Sequence, residues 1–369
     1  MLSYISEDEV EPRATRQLAY EKKFDLTDIH EKRITGIAIS PDGRYIATCS
    51  EDCSVTLWLV ETGEATHRIL ARSAVLCATW PTDPGTLICG TTDGTLLTIT
   101  MSSPYLVVSG FEAHSKPIEH LVVNVSSRFV PRNTGSGVPS ARRRLASAGH
   151  DEIKVWLLQG EEWVPEQVVR LPPPTSQSDK KPFVVTALQW VPHGDEADDE
   201  LLVAYLFHGI YCTRLEATGA QQVQWSIHLS LCGPCSISPR GSIVAANIVL
   251  GFEVYEYPAG TRAWKPPPPL SKVKALLPVQ FVHDGDYLLF GCHDGKVRMH
   301  SSASGEHFFT LRHEGWGLIQ ALDAFRDEAS GTFLIVCASG ESTRPVARVW
   351  QGRVVDKSDH GTTHLTHHR

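Results

Sequence analysis

The sequence predicts an all-β fold, a seven-bladed β-propeller of four-stranded antiparallel blades. Two observations lead there: a pattern of short apolar runs that recurs along almost the whole chain, and the absence of any long stretch with helical periodicity. A third, a lone alternating run near the N-terminus, indicates how such a ring closes.

The stretch SPDGRYIATCSEDCSVTLWL, Ser40 to Leu59, shows the unit: a tight turn, an apolar run, an acidic turn and a second run ending on tryptophan. Laid beneath one another, the third runs of successive units end near Trp58, Ile99, Trp156, Tyr211, Tyr255, Met299 and Trp350, between 41 and 57 residues apart. The first runs, ITGIAIS, AVLCATW, IEHLVVN, VVTALQW, GPCSIS, LLPVQFV and LIQALDA, step along with them. A period of about 40–50 residues holding four short strands is that of a propeller blade. At 369 residues the chain exceeds the usual single domain, which suits a large repeating architecture.

A ring made from a linear chain has one seam. The last unit, ending VARVWQG, lacks a fourth strand, while LAYEKKFDL places Leu18, Tyr20, Phe24 and Leu26 in alternation, Lys22 excepted. Residues 17–26 are therefore expected to pair with blade 7 and remove its open edge. This divides the chain into a disordered N-terminus (1–16), the propeller (17–353) and a disordered His-rich tail (354–369).

The formal charge is -8 and the pI about 6.1, so no global positive field holds a nucleic-acid backbone. The start, MLSYISEDEVEPR, is acidic where a secretory signal needs a basic region, and no apolar run approaches the roughly 20 residues of a membrane span. Nine scattered cysteines, several inside apolar runs such as ATCSEDC and LLFGCHD, read as reduced, buried thiols of a cytoplasmic or nuclear protein.

Two units carry a fuller signature. In blade 1 it is His30, Thr48, Asp52 and Trp58, with Ile34 four residues after the histidine; in blade 3 it is His114, Ser147, Asp151 and Trp156, with Ile118 in the same place. On these residues the chain resembles the WD40-repeat family over roughly 17–353. Blades 2 and 6 keep only the turn acids, Asp93 and Asp294; blade 7 keeps Trp350 and His313; blades 4 and 5 keep only strand rhythm. The resemblance implies that each quartet is an internal hydrogen-bond chain from His through Ser/Thr to Trp, with Asp fixing the turn. It also implies a non-enzymatic scaffold or complex subunit that binds other proteins on the top face, where the residue just before a blade's first strand is a frequent contact. Those positions are Arg33, Pro117 and Trp316; His150 and His293, each just before a turn Asp, are expected to project from the same face.

Other chemistries are weighed against this. His, Ser and Asp together suggest a hydrolase, but no G-x-S-x-G elbow is present. A propeller enzyme needs carboxylates, Asn or His converging on the channel, whereas the channel strands read apolar. Neither a cofactor nor a metal site is expected; the histidines of SDHGTTHLTHHR (His360, His364, His367, His368) have no companion Cys or acidic cluster. Pro172–Pro174 and Pro266–Pro269 suit an SH3/WW-type partner or act as stiff connectors. The run 128–144 carries Arg128, Arg132, Arg142, Arg143 and Arg144, an alternative phosphoinositide or nucleic-acid patch. The next blade's Asp195, Glu196, Asp198, Asp199 and Glu200 are expected to compensate it, and the FRRG run of lipid-binding propellers is absent.

Overall fold

A computed structural model of the chain describes residues 17–102, 105–129, 141–173, 180–191, 199–216, 218–238, 242–247, 251–264, 275–313, 317–327, 330–340 and 345–355. Seven antiparallel sheets of four strands each make up the described part, and in six of them the four strands follow one another in sequence. The seventh is composite: Ile319–Asp327, Thr332–Ser339 and Ala347–Val355 are completed by the N-terminal strand Gln17–Leu26. The chain is thus a seven-bladed β-propeller with its seam in blade 7.

Sheet faces, not a single centre, form the core. Seven apolar clusters lie between successive blades, each drawing residues from both neighbours. Strands buried on both faces explain the near-continuous apolar runs such as Tyr45–Ser50 and Thr332–Ser339. The cluster between blades 7 and 1 holds Leu26, Ile34, Ile46, Trp58, Val336 and Val349.

The seam strand departs from simple alternation. Gln17 to Lys22 pair with Val355 to Trp350, the register then skips a residue, and Phe24 to Leu26 pair with Val349 to Ala347. This bulge at Lys22/Phe24 exchanges the strand's faces. Tyr20 therefore packs toward blade 6, with Phe309 and His283, whereas Phe24 and Leu26 pack toward blade 1. The expected single apolar face is in fact two, and Lys22 is not an exception but the residue at which the phase changes.

Inner strands are also stitched side to side. The Ile237 N–H donates to Gln189 Oε1 (2.7 Å) and the Phe281 N–H to Ser236 Oγ (3.2 Å). Across the seam, the Ile39 N–H of blade 1 donates to Asp323 Oδ2 of blade 7 (2.8 Å), while Gln280 of blade 6 donates to Asp323 Oδ1 (3.2 Å).

Candidate functional site

Each blade's top rim is made by the loop entering its first strand and the turn between its second and third strands. In blade 1 these are tied by a buried relay. Trp58 Nε1 donates to Thr48 Oγ1 (2.8 Å), Thr48 Oγ1 lies 2.7 Å from His30 Nε2, and His30 Nδ1 lies 3.1 Å from Asp52 Oδ2. Because the Asp52 carboxylate can only accept, the imidazole proton is assigned to Nδ1 facing it, and Nε2 accepts the Thr48 hydroxyl proton. The histidine is neutral. Burial holds its pKa below the ordinary value, outweighing the attraction of Asp52. Burial would raise the Asp52 carboxyl, but hydrogen bonds from Ser54 and the Glu31 N–H hold it low.

Blade 3 repeats the relay with one substitution. Trp156 Nε1 donates to Ser147 Oγ (2.8 Å), which lies 2.8 Å from His114 Nε2, but His114 Nδ1 meets Glu152 Oε2 (2.8 Å). Asp151, expected in that seat, instead pairs with Lys116 at the surface, and that bond holds its carboxyl below the usual range. The cause is the length of the turn. Three residues separate Ser50 from Ser54, whereas two separate Gly149 from Glu152, and the left-handed residue shifts from Cys53 (φ 65°) to His150 (φ 62°). Sequence reading missed Glu152, although the spacing carried the signal: Thr48 to Trp58 is one residue longer than Ser147 to Trp156.

In blade 7 the hydroxyl position is Cys337, opposite Arg348 as Ser147 is opposite Lys154. A thiol accepts weakly, so the buried Trp350 Nε1 makes at most a weak approach to the Cys337 sulfur in place of a full hydrogen bond. Burial pushes the Cys337 thiol up to about 12. His313 is buried nearby and bonds the Val346 carbonyl (3.1 Å).

These relays predict a sharp contrast between neighbours. Ser147→Ala should cost about 2 kcal/mol, since it orphans two buried partners. Asp151→Ala should cost less than about 1 kcal/mol, because its ion pair is exposed. Urea unfolding of the two variants is the measurement; equal losses would mean that Asp151, not Glu152, holds the relay.

The relays immobilise what stands above them. Arg33 and Pro117 directly precede the fully buried Ile34 and Ile118, yet both are themselves exposed. Arg33 forms an ion pair with Glu51 across the rim. Blade 3 carries the comparable pair Lys116–Asp151, whereas in blade 6 the turn residue Asp294 accepts from two residues of its own third strand, Lys296 (2.9 Å) and Arg298 (2.7 Å). His150 is exposed and His293 half-buried, in blades 3 and 6. Trp316 lies outside the described residues, as do Pro174 and Pro266–Pro269; Pro172 is buried and Pro173 exposed.

The channel offers a cavity of about 320 Å³ lined among others by Thr35, Glu119, His120, Thr186 and Gln320. Burial lowers the His120 pKa to about 4, and its ring bonds the Val185 carbonyl (3.2 Å). Among the described residues no group of three or more His, Cys, Asp or Glu is placed to hold a metal. The His-rich tail lies outside them.

On the opposite face, the inner end of the arginine run is corrected. Arg144 is not a loop residue: it is fully buried in the strand Ala141–Gly149, bonding both Glu166 carboxylate oxygens (2.7 and 2.6 Å) and the Leu215 carbonyl (3.2 Å). Glu200, likewise buried, accepts from Arg214 (3.0 Å). Arg144 thus bonds a carboxylate of its own blade and reaches across to the Leu215 carbonyl of blade 4, while Glu200 accepts from Arg214 within blade 4. Arg143 is half-buried, and the side chains of Arg128, Arg132, Arg142, Asp195, Glu196, Asp198 and Asp199 lie outside the described residues.

Comparison with known proteins adds the following. Residues 24–58, the seam strand's end and the first three strands of blade 1, match the WD40 family (WD domain, G-beta repeat). A 59-residue segment is 32% identical to ribosome biogenesis protein bop1-A of Xenopus laevis, covering 16% of this chain and 8% of that protein. A 125-residue segment is 26% identical to protein SPA1-RELATED 3 of Arabidopsis thaliana, covering 33% of this chain and 15% of that protein. The chain therefore matches a small part of either relative.

Proposed function

We propose that the chain, a seven-bladed β-propeller whose residues 24–58 match the WD40 family, is a non-enzymatic scaffold, a subunit of a multiprotein complex that binds partner proteins on its top rim. One observation carries the reading: Arg33 and Pro117 are exposed, each three residues beyond the histidine of a different buried relay, so a partner meets a surface anchored from below. Preorganisation of this kind reduces the entropy lost on binding. Trp316 belongs to the same proposed surface by its position before the first strand of blade 7, and His150 and His293 by theirs above the turns of blades 3 and 6. The alternating ion pairs of the rim suit a polar protein surface more than a nucleic-acid backbone.

The second reading, a phosphoinositide or nucleic-acid site at 128–144, loses Arg144 to the interior. No catalytic role is assigned, because the two His/Ser/acid sets are consumed in the relays. The nine cysteines are free thiols, which supports a cytoplasmic or nuclear setting. No helix of the described residues is long and apolar enough to cross a membrane.

The test combines Arg33→Glu with Trp316→Ala. The double variant should keep its melting temperature within about 2 °C, since Arg33 is exposed and pairs with Glu51 outside the relay, and lose at least one partner that co-purifies with the wild type from native cells. Retention of every partner by this variant, with loss on neutralising Arg128, Arg132, Arg142 and Arg143, would place binding on the bottom face instead.

A further inference from the structure

The outer strand of blade 2, Tyr105–Glu112, differs from every other outer strand of the ring. Six of the seven pair with their neighbour through a register shift: at Leu57/Trp58, Val155/Trp156, Cys212/Thr213, Val254/Tyr255, Met299/His300 and Lys22/Phe24. Tyr105–Glu112 pairs with Thr95–Ser102 through eight consecutive residues without a shift. Bulges and inward or edge charges are the devices by which sheet proteins prevent edges from pairing with another chain. Here both are absent. The segment Tyr105 to Phe111 has no charged residue, and Glu112 stands at its end. Its side chains are apolar and open to solvent, with Tyr105 74%, Val107 55% and Val108 47% exposed. The strand Gln221–Ile227 also lacks charge, but it is bulged; only the blade 2 edge lacks both protections.

We infer that this edge pairs with the same edge of a second copy of the chain, joining two propellers side by side through one continuous eight-stranded sheet. The strand's own sequence argues for that occupant. Two copies related by a two-fold axis normal to the sheet must place residues of the same face opposite one another. Centred on Val108, the register sets Tyr105 against Phe111, Leu106 against Gly110, Val107 against Ser109 and Val108 against itself. An aromatic pair flanks each end, Gly110 adds no side chain of its own opposite Leu106, and no charge meets a like charge; Glu112 falls outside the paired run. Cross-strand aromatic and β-branched pairs of this kind stabilise antiparallel sheets. Because one strand buries less than the roughly 1,200 Å² of a standard interface, the dimer is weak, with a Kd in the micromolar range. Two copies of net charge -8 repel while the edge itself is neutral, so added salt strengthens the pairing.

Sedimentation velocity of the purified full chain from about 1 to 200 µM tests this. The wild type is expected to pass from monomer to dimer across that range, more readily at 0.5 M than at 0.05 M salt. Val108→Lys sets two ammonium groups face to face and should leave a monomer at all concentrations, and Val108→Glu should do the same. Mixing the two variants should restore the dimer, which also shows that both are folded. Leu70→Lys, on the bulged outer edge of blade 1, should dimerise as the wild type does. A wild type that is monomeric at 200 µM overturns the proposal and leaves the edge to a foreign strand. A dimer that survives Val108→Lys, or variants that fail to rejoin on mixing, overturns it as well.

Discussion

Removing residues 1–26 should lower the melting temperature by more than about 10 °C or abolish cooperative unfolding, whereas removing 356–369 should leave it within about 2 °C of the wild type. The seam strand supplies the whole outer edge of blade 7 and parts of two inter-blade cores. Leu26 is fully buried, Tyr20 and Phe24 pack on opposite sides, and Asp25 holds Arg348 through two bonds of 2.6 and 3.0 Å. Burial of three such apolar side chains contributes roughly 1.5–3 kcal/mol each, so the strand carries on the order of 5 kcal/mol, comparable to the whole stability of many domains. Arg348 would also be left in the interior without its carboxylate, a costly state for a buried charge. Gly352 and Gly63 are shaped to this strand: a Cβ on Gly352 would stand 2.5 Å from the Tyr20 ring and one on Gly63 3.0 Å from that of Phe24. Differential scanning calorimetry of the two truncations decides it, and equal melting temperatures would refute the closure.

Much of this was legible in the sequence because strand rhythm is a local signal. The third-strand endpoints Trp58, Trp156, Tyr211, Tyr255, Met299 and Trp350 all fall on third strands, as does Ile99. What escaped depended on offsets of one residue. A bulge after Lys22 reverses the seam strand's faces, yet a bulged strand and a regular one differ only by a residue that alternation absorbs as an exception. The turn of blade 3 is one residue shorter than that of blade 1, which moves the relay carboxylate from Asp151 to Glu152. By sequence Arg144 looks like the end of a basic loop because charge usually means solvent; its burial rests on Glu166, 22 residues later, a pairing no local pattern announces. Cys337 in a serine's place and the unbulged edge of blade 2 become visible only when blades are aligned by register. The top-rim surface stands on different ground, since the geometry fixes Arg33 and Pro117 in space but a binding partner is a property of two molecules.

Asp323 sits where the ring closes, and its replacement by alanine should cost about 3 kcal/mol. One carboxylate accepts from the Ile39 N–H of blade 1, the Gln280 amide of blade 6 and the Ala324 N–H of its own strand, at 2.8, 3.2 and 2.8 Å. Alanine leaves these donors unmatched at the junction of three blades, and each such donor costs about 1–3 kcal/mol if it finds no water. The same residue sets a pH dependence whose sign is opposite to that of the buried histidines. Burial raises the Asp323 pKa to about 6, the three hydrogen bonds only partly resisting it. A group that binds its proton more tightly folded than unfolded adds stability while protonated. Its contribution is therefore complete below about pH 4 and is lost as the pH climbs through 6. His30, His114, His120 and His283 are lowered by burial, so their contribution is present above the ordinary histidine value and falls as the pH drops. The two trends oppose each other in one window, and only a difference isolates Asp323. Asp323→Asn keeps the shape and cannot titrate. Between pH 4 and 6.5 its urea midpoint should rise with pH more steeply than that of the wild type, because the opposing slope of the aspartate has been removed. Parallel curves for the two proteins would show that Asp323 titrates as an ordinary carboxylate and that the seam is not held by a proton-binding latch.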